Sequence, residues 1–381
     1  MTYAPTNPVD VPPYQLQPLI ASVKEGPFYE PSGRPSSRAS TPTAVPRVVC
    51  CAQALGSEIY IGCSNGELLR FALQADDPNT IETYSLLSRQ SLPVEKPIDE
   101  IVLAPSISRA LILCDHQIHF YTLPSLDPVH SIKPIRNVIT FAVNDQHLRR
   151  SAPSLTGPPQ KIEPIEFCVI KRGNIALYSL ADRLFYQKEV PLPQVVSLAR
   201  RTGRYLCVAD AEFYNVVDLE AASLVPLLPL SQAPDTKVKP SITVVSENEF
   251  LILSWTGAST LGVFITGDGD PVRGTLEWPS HPLAVCLDYP YITTLLPNNT
   301  IEIHSIETQA IAQVISAPSL PSRLALSASP NGYFVPSQQR SEKMRLTPVR
   351  LLRTKDEVLD PVLAAAKKFE GLTLKEDGIR V

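Results

Sequence analysis

A short apolar strand, a tight polar turn and a second strand of alternating apolar and polar residues recur six times in this chain. The copies are "EIYIGCSNGELLRFAL", "ALILCDHQIHFYTL", "EFCVIKRGNIALYSL", "YLCVADAEFYNVVDL", "FLILSWTGASTLGVFI" and "YITTLLPNNTIEIHSI". Alternation on both sides of a turn rich in Gly, Asn and Asp is the signal of a β-hairpin. The first strands begin near Tyr60, Leu111, Phe167, Leu206, Leu251 and Tyr291, so the unit returns every 39 to 56 residues. Such a period, filled with strands, is the pattern of propeller blades, each of which needs four. "DEIVLAP", "VITFAVN" and "VVSLARRTG" lie between the hairpins and supply further strands. A seventh unit is expected from "LALSASPNGYFVPS" and "MRLTPVRLL". Ring closure calls for it, because an open stack would leave sheet edges free to pair with other chains.

The expected fold is therefore an all-β propeller of about seven blades over residues 47–352. The ends read differently. Residues 1–46 hold ten of the 38 prolines, and "EPSGRPSSRASTPTAVPR" shows no apolar period, so a disordered arm is expected there. In 353–381, "DEVLDPVLAAAKKFEG" places Asp360 to cap a helix, Pro361 at its first position and Gly371 at its end, which predicts a short helical tail.

Composition narrows the function classes. With 44% apolar and 19% charged residues the chain has material for a large core. A net charge of −4 argues against a protein that coats nucleic acid. Apolar runs such as "ASLVPLLPL" fall far short of the roughly 20 residues that cross a bilayer, and the N-terminus lacks a secretory pattern. A soluble cytoplasmic protein is expected. The seven cysteines include no C-x-x-C pair and sit mostly in apolar runs, which reads as reduced, buried thiols without metal or disulfide.

One motif suggests catalysis. Gly62-Cys63-Ser64-Asn65-Gly66 matches G-x-S-x-G, the nucleophile elbow of α/β-hydrolases, and makes Ser64 a candidate nucleophile. An elbow must open onto a helix within a strand-helix alternation. "ELLRFALQADDPN" instead alternates and stops at Asp-Asp-Pro. Asn65-Gly66 suits the two central positions of a type I′ turn, which predicts pairs Ser64–Glu67, Cys63–Leu68 and Ile61–Arg70. The matching turns of other copies are Asp115-His116, Arg172-Gly173, Thr256-Gly257 and Asn298-Asn299, so the repeat asks for no serine.

Other motifs yield to simpler explanations. His116 and His119 lie three apart on a strand pattern, on opposite faces, and cannot easily share a metal. "GDGDPVRG", Gly267 to Gly274, lacks the helix of a phosphate loop and the distal glutamate of a calcium loop, and reads as a turn. Trp255 and Trp278 read as core. Arg149-Arg150, Lys171-Arg172-Gly173 and Arg200 to Arg204 would make a basic patch only if their turns gathered on one rim.

The run from Gly262 to Gln309 resembles the later part of a citron homology domain. The matching elements are Gly262-Val263-Phe264, Gly269-Asp270-Pro271-Val272-Arg273-Gly274, Trp278 to Pro282, Pro290-Tyr291-Ile292 and Ile301-Glu302-Ile303-His304. "PIDEIVLAPSISRALILCDHQIHFYTLPSLDPV" and "FCVIKRGNIALYSL" are similar to its middle blades, and "VVCCAQALGSEIYIGCSNGELLRFAL" to the opening blade of the vacuolar-sorting and TGF-β-receptor-associated tethering subunits. Within that family the likeness leans to the fungal CORVET-specific type. The resemblance implies a non-catalytic propeller without cofactor, metal or catalytic residues. It would bind a Rab-type small GTPase and other subunits of CORVET or HOPS, peripherally on endosomes or vacuoles. It also implies an α-solenoid of which 353–381 would be the start. A citron homology domain of a Rho-pathway regulator and a hydrolase using Ser64 are the alternatives.

Overall fold

The computed structural model describes residues 14–20, 49–74, 83–153, 162–234, 236–316, 327–329, 332–336 and 341–346. Its strands form seven four-stranded sheets, and six of these are built from four strands consecutive in sequence. The six blades cover 49–91, 98–136, 140–191, 198–229, 242–278 and 284–316, numbered 1 to 6 here. In each, every strand pairs antiparallel with the next. First strands of successive blades lie side by side, as in blades 1 and 2, 3 and 4, and 5 and 6. The first strands therefore ring a central channel and the fourth strands form the perimeter.

The residue pattern follows from that stacking. Blades bury both faces against their neighbours, so second strands such as Tyr205–Ala209 and Glu249–Trp255 are almost wholly buried. Fourth strands such as Leu184–Pro191 are mostly exposed. Apolar clusters bridge adjacent blades: Leu113, Phe120, Phe141 and Phe167 join blades 2 and 3, and Leu253, Phe264, Trp278 and Ile292 join blades 5 and 6. Trp278 is fully buried and meets His304 edge-on, ring centres 5.0 Å apart. Trp255 ends its strand half-buried.

The seventh sheet takes in one segment of the expected arm, the rest of which lies outside the described residues. Tyr14–Ile20, inside 1–46, pairs antiparallel with Ser341–Leu346 and forms the outermost strand beside Gly332–Pro336 and Ser327–Ser329. The sequence "YQLQPLI" does alternate, a signal hidden by the surrounding prolines. Pro18 is tolerated because an outermost strand need not donate on its open side, and the register shifts just after it. Pairing Tyr14–Ile20 with the strands of 327–346 completes a sheet that packs between blades 6 and 1 and closes the ring. The tail expected over 353–381 lies outside the described residues; the one α-helix among those described is Asp145–Leu148.

Candidate partner-binding face

Four antiparallel strands per blade send the first-to-second and third-to-fourth connections to one rim. The second-to-third and blade-to-blade connections go to the other. The turn at Ser64 belongs to the second kind. Its observed register pairs Tyr60 with Arg70, Ile61 with Leu69 and Gly62 with Leu68, one residue away from the expected pairing. The loop is three residues, not two: Gly66 N donates to the Cys63 carbonyl at 3.3 Å and Gly66 alone takes a positive φ, +78°. This is the turn followed by a left-handed residue that makes a three-residue hairpin. Gly66 is required there twice over, because a Cβ on it would also lie 2.5 Å from the Val94 carbonyl oxygen. Strand Glu67–Gln74 follows directly, so no helix opens at Ser64 and the elbow geometry is not formed.

The type I′ arrangement occurs elsewhere. Asp115 and His116 have φ of 47° and 58° between paired Cys114 and Gln117. His116 donates from Nδ1 to the Val138 carbonyl at 3.0 Å, while His119 is buried in the following strand with its pKa pushed down by burial. Thr256-Gly257 open a four-residue loop between paired Trp255 and Thr260, and Asn298-Asn299 sit in a three-residue loop closed at Asn299. In "GDGDPVRG" the N–H groups of Asp268 and Asp270 both donate to Thr266 Oγ1, as a turn requires. No group of three or more His, Cys, Asp or Glu among the described residues is arranged to hold a metal.

The basic groups do not gather. Arg149, Arg150 and Arg204 lie on the rim of the first-to-second connections, and Lys171-Arg172 end the second strand of blade 3 on the opposite rim. Those on the first rim are also neutralised. Arg149 pairs with Asp145 at 2.6 Å, Arg150 with Glu163 at 3.4 Å, and Arg204 with Asp218 at 3.5 Å. Arg200 reaches from blade 4 to Glu100 of blade 2 at 3.2 Å. The rim is polar and charge-balanced, which suits a mixed-charge protein surface better than an anionic membrane.

This rim surrounds the channel mouth, a cavity of about 890 Å³ lined by Gln53, Asp145, Arg149, Arg200, Arg273 and Tyr289. Arg273 is held by a double hydrogen bond to Glu249, 2.5 and 3.1 Å. The helix Asp145–Leu148 stands beside the mouth. Its Asn144 cap accepts from Gln146 N at 3.3 Å and from Gly203 N of blade 4 at 3.0 Å. His147 Nδ1 accepts from Glu166 N at 2.9 Å, which requires that nitrogen unprotonated, and burial lowers the histidine's pKa accordingly. Buried Arg201 completes the joint, donating to Glu166 at 2.7 Å and to the Gly203 carbonyl at 2.9 Å. Burial raises the pKa of Asp145, against the pull of Arg149. Sequence reasoning missed the channel mouth because Gln53, Arg200 and Tyr289, on blades 1, 4 and 6, are drawn together only by the ring.

A closed ring of four-stranded blades defines a β-propeller. Among solved structures, the AfRom2 CNH domain superposes with a TM-score of 0.50 at 19% identity, covering 79% of this chain and 95% of that one. The Pan2 WD40 domain of Neurospora crassa superposes with a TM-score of 0.55 at 11% identity, covering 80% and 91%. In sequence, the VPS3 N-terminal domain family matches residues 46–318, and the chain belongs to that family. It is 26% identical over 272 residues to human transforming growth factor-beta receptor-associated protein 1, covering 70% of this chain. It is 23% identical over 334 residues to vacuolar protein sorting-associated protein 3 of Saccharomyces cerevisiae, covering 84%. The chain spans about 30% of the length of these relatives.

Proposed function

We propose that this chain is the non-catalytic interaction propeller of a membrane-tethering subunit in vacuolar and endosomal protein sorting, and that it binds a Rab-type GTPase in its GTP-loaded form. The family match over residues 46–318 carries the proposal, since one of the relatives it resembles is named for vacuolar protein sorting. Geometry supports it. Closed blades make a rigid platform, and a rigid platform can discriminate GTPase states because switch loops ordered by the γ-phosphate offer contacts that the GDP form lacks. A charge-balanced rim favours a protein partner, so the chain would reach endosomal or vacuolar membranes through the GTPase and its fellow tethering subunits. No helix among the described residues is long and apolar enough to cross a membrane.

The test is a pull-down of the chain with a panel of Rab- and Rho-type GTPases, each in GDP and GTP-analogue states. Retention of a Rab-type member in the GTP-analogue state alone is expected. Equal retention in both states overturns the effector role, and retention of Rho-type members only would instead support a Rho-pathway citron homology domain.

A further inference from the structure

The fourth strand of blade 3, Leu184–Pro191, has no strand beyond it in its sheet. The perimeter strands of blades 2, 4 and 5 are blunted. Those of blades 2 and 5 are two and three residues long, and that of blade 4 carries Pro226 and Pro229. Leu184–Pro191 has no proline before its last residue and presents Phe185 and Tyr186 with 59% and 56% of their surface exposed.

Its register contains a bulge. Lys188 pairs with Leu177, and Tyr186 with Tyr178, leaving Gln187 as an extra residue between them. Residues three apart on a regular strand face opposite sides. The bulge therefore turns Phe185 and Lys188 onto the same side, facing blade 4, in adjacent rows with Ser179 and Leu177. Between blades 3 and 4 on that side lies a groove of about 360 Å³ lined by Glu166, Leu177, Lys188, Arg201, Arg204 and Leu219. Glu166 is taken by Arg201, and Arg204 by Asp218 and Glu220. Lys188 donates to the Leu219 carbonyl at 2.6 Å and enters no ion pair among the described residues. It is the cation in the groove without a carboxylate in ion-pair contact, although Asp218 attracts it from farther off.

We infer that this edge is a docking site for an extended segment of a partner protein that carries an acidic and an apolar residue two positions apart. The free backbone row selects an extended chain, which adds as a fifth strand. Residues i and i+2 of that chain face the same side, so one covers Phe185 while the other brings its carboxylate to Lys188. The perimeter strand of blade 6, "IAQVIS", exposes Ile311 and Val314 but has no charge to select a partner. The groove adjoins the rim proposed for the GTPase through Arg204, whereas Phe185 and Lys188 stand on the perimeter strand, so variants at these two residues test the edge apart from the rim.

The test is selection of a phage-displayed random dodecapeptide library on the full chain, followed by fluorescence anisotropy with a labelled selected peptide. Enrichment of Asp or Glu two positions from an apolar residue is expected. Lys188→Glu should weaken binding about tenfold or more and Phe185→Ala about fivefold. Replacing the peptide's acid with Lys should restore affinity for the Lys188→Glu chain, a rescue that a misfolded variant cannot give. Selection without that pair, affinity unchanged by Lys188→Glu, or failure of the charge swap overturns the site. So does sedimentation showing the edge already filled by a second copy of the chain.

Discussion

Gly66→Ala should destabilise the propeller by about 2–5 kcal/mol, through two separable effects. The left-handed conformation, φ +78°, costs an L-residue about 1–2 kcal/mol. The new Cβ also meets the Val94 carbonyl oxygen at 2.5 Å, on the connection from blade 1 to blade 2. That connection cannot retreat freely, since Leu92 N donates to the Gly66 carbonyl at 2.9 Å. Such overpacking adds about 1–3 kcal/mol. Gly173 supplies the control: its φ is +88°, yet a Cβ there meets nothing within 4 Å, so Gly173→Ala should cost only the conformational part. Ser64→Ala should stay within about 0.5 kcal/mol. Urea unfolding of the three variants and the parent measures the differences as midpoint shifts at constant slope. If Gly66→Ala costs no more than Gly173→Ala, or Ser64→Ala costs as much as either, the hairpin explanation of this motif is wrong.

His304, buried against Trp278, has its pKa lowered from 6.5 to about 4 chiefly by burial. Because the unfolded chain binds the proton more readily, its contribution is fully present above about pH 6.5. It is lost as pH falls toward 4, about 3 kcal/mol in all. Thermal melts of His304→Phe across that window should show a flatter slope than the parent; an unchanged slope refutes the assignment. Arg201→Ala should cost about 2–4 kcal/mol by stripping Glu166 and the Gly203 carbonyl of a buried partner, while Arg149→Ala, removing an exposed pair, should stay within about 1 kcal/mol. Similar losses for the two would contradict the joint described between blades 3 and 4. An activity-based serine probe should leave Ser64 unlabelled; labelling, with turnover lost in Ser64→Ala, would make the chain an enzyme.

The hairpins were legible because alternation and turn residues are local. Arg172-Gly173 and Asp115-His116 fall between paired residues as read. Turn type was less legible: Asn-Gly favours a two-residue turn, but residues 64–66 form a three-residue loop, and one residue of slip changes every cross-strand pair. The strand Tyr14–Ile20 was hidden because its partner, Ser341–Leu346, lies at the far end of the chain. Whether Arg149, Arg200 and Arg204 formed a patch could not be read either. Asp145 is a local partner of Arg149, four residues back across one turn of helix, but Glu100 and Asp218, the partners of Arg200 and Arg204, are chosen by the channel and by strand order. The alignment of Phe185 with Lys188 depends on a bulge that no local pattern announces.

The most direct test is calorimetric titration of the chain with the Rab-type GTPase retained in the pull-down, loaded in turn with GDP and with a GTP analogue. An effector platform should bind the GTP-analogue form at least about tenfold more tightly, a differential of about 1.4 kcal/mol. The same affinity for both nucleotide states would contradict it.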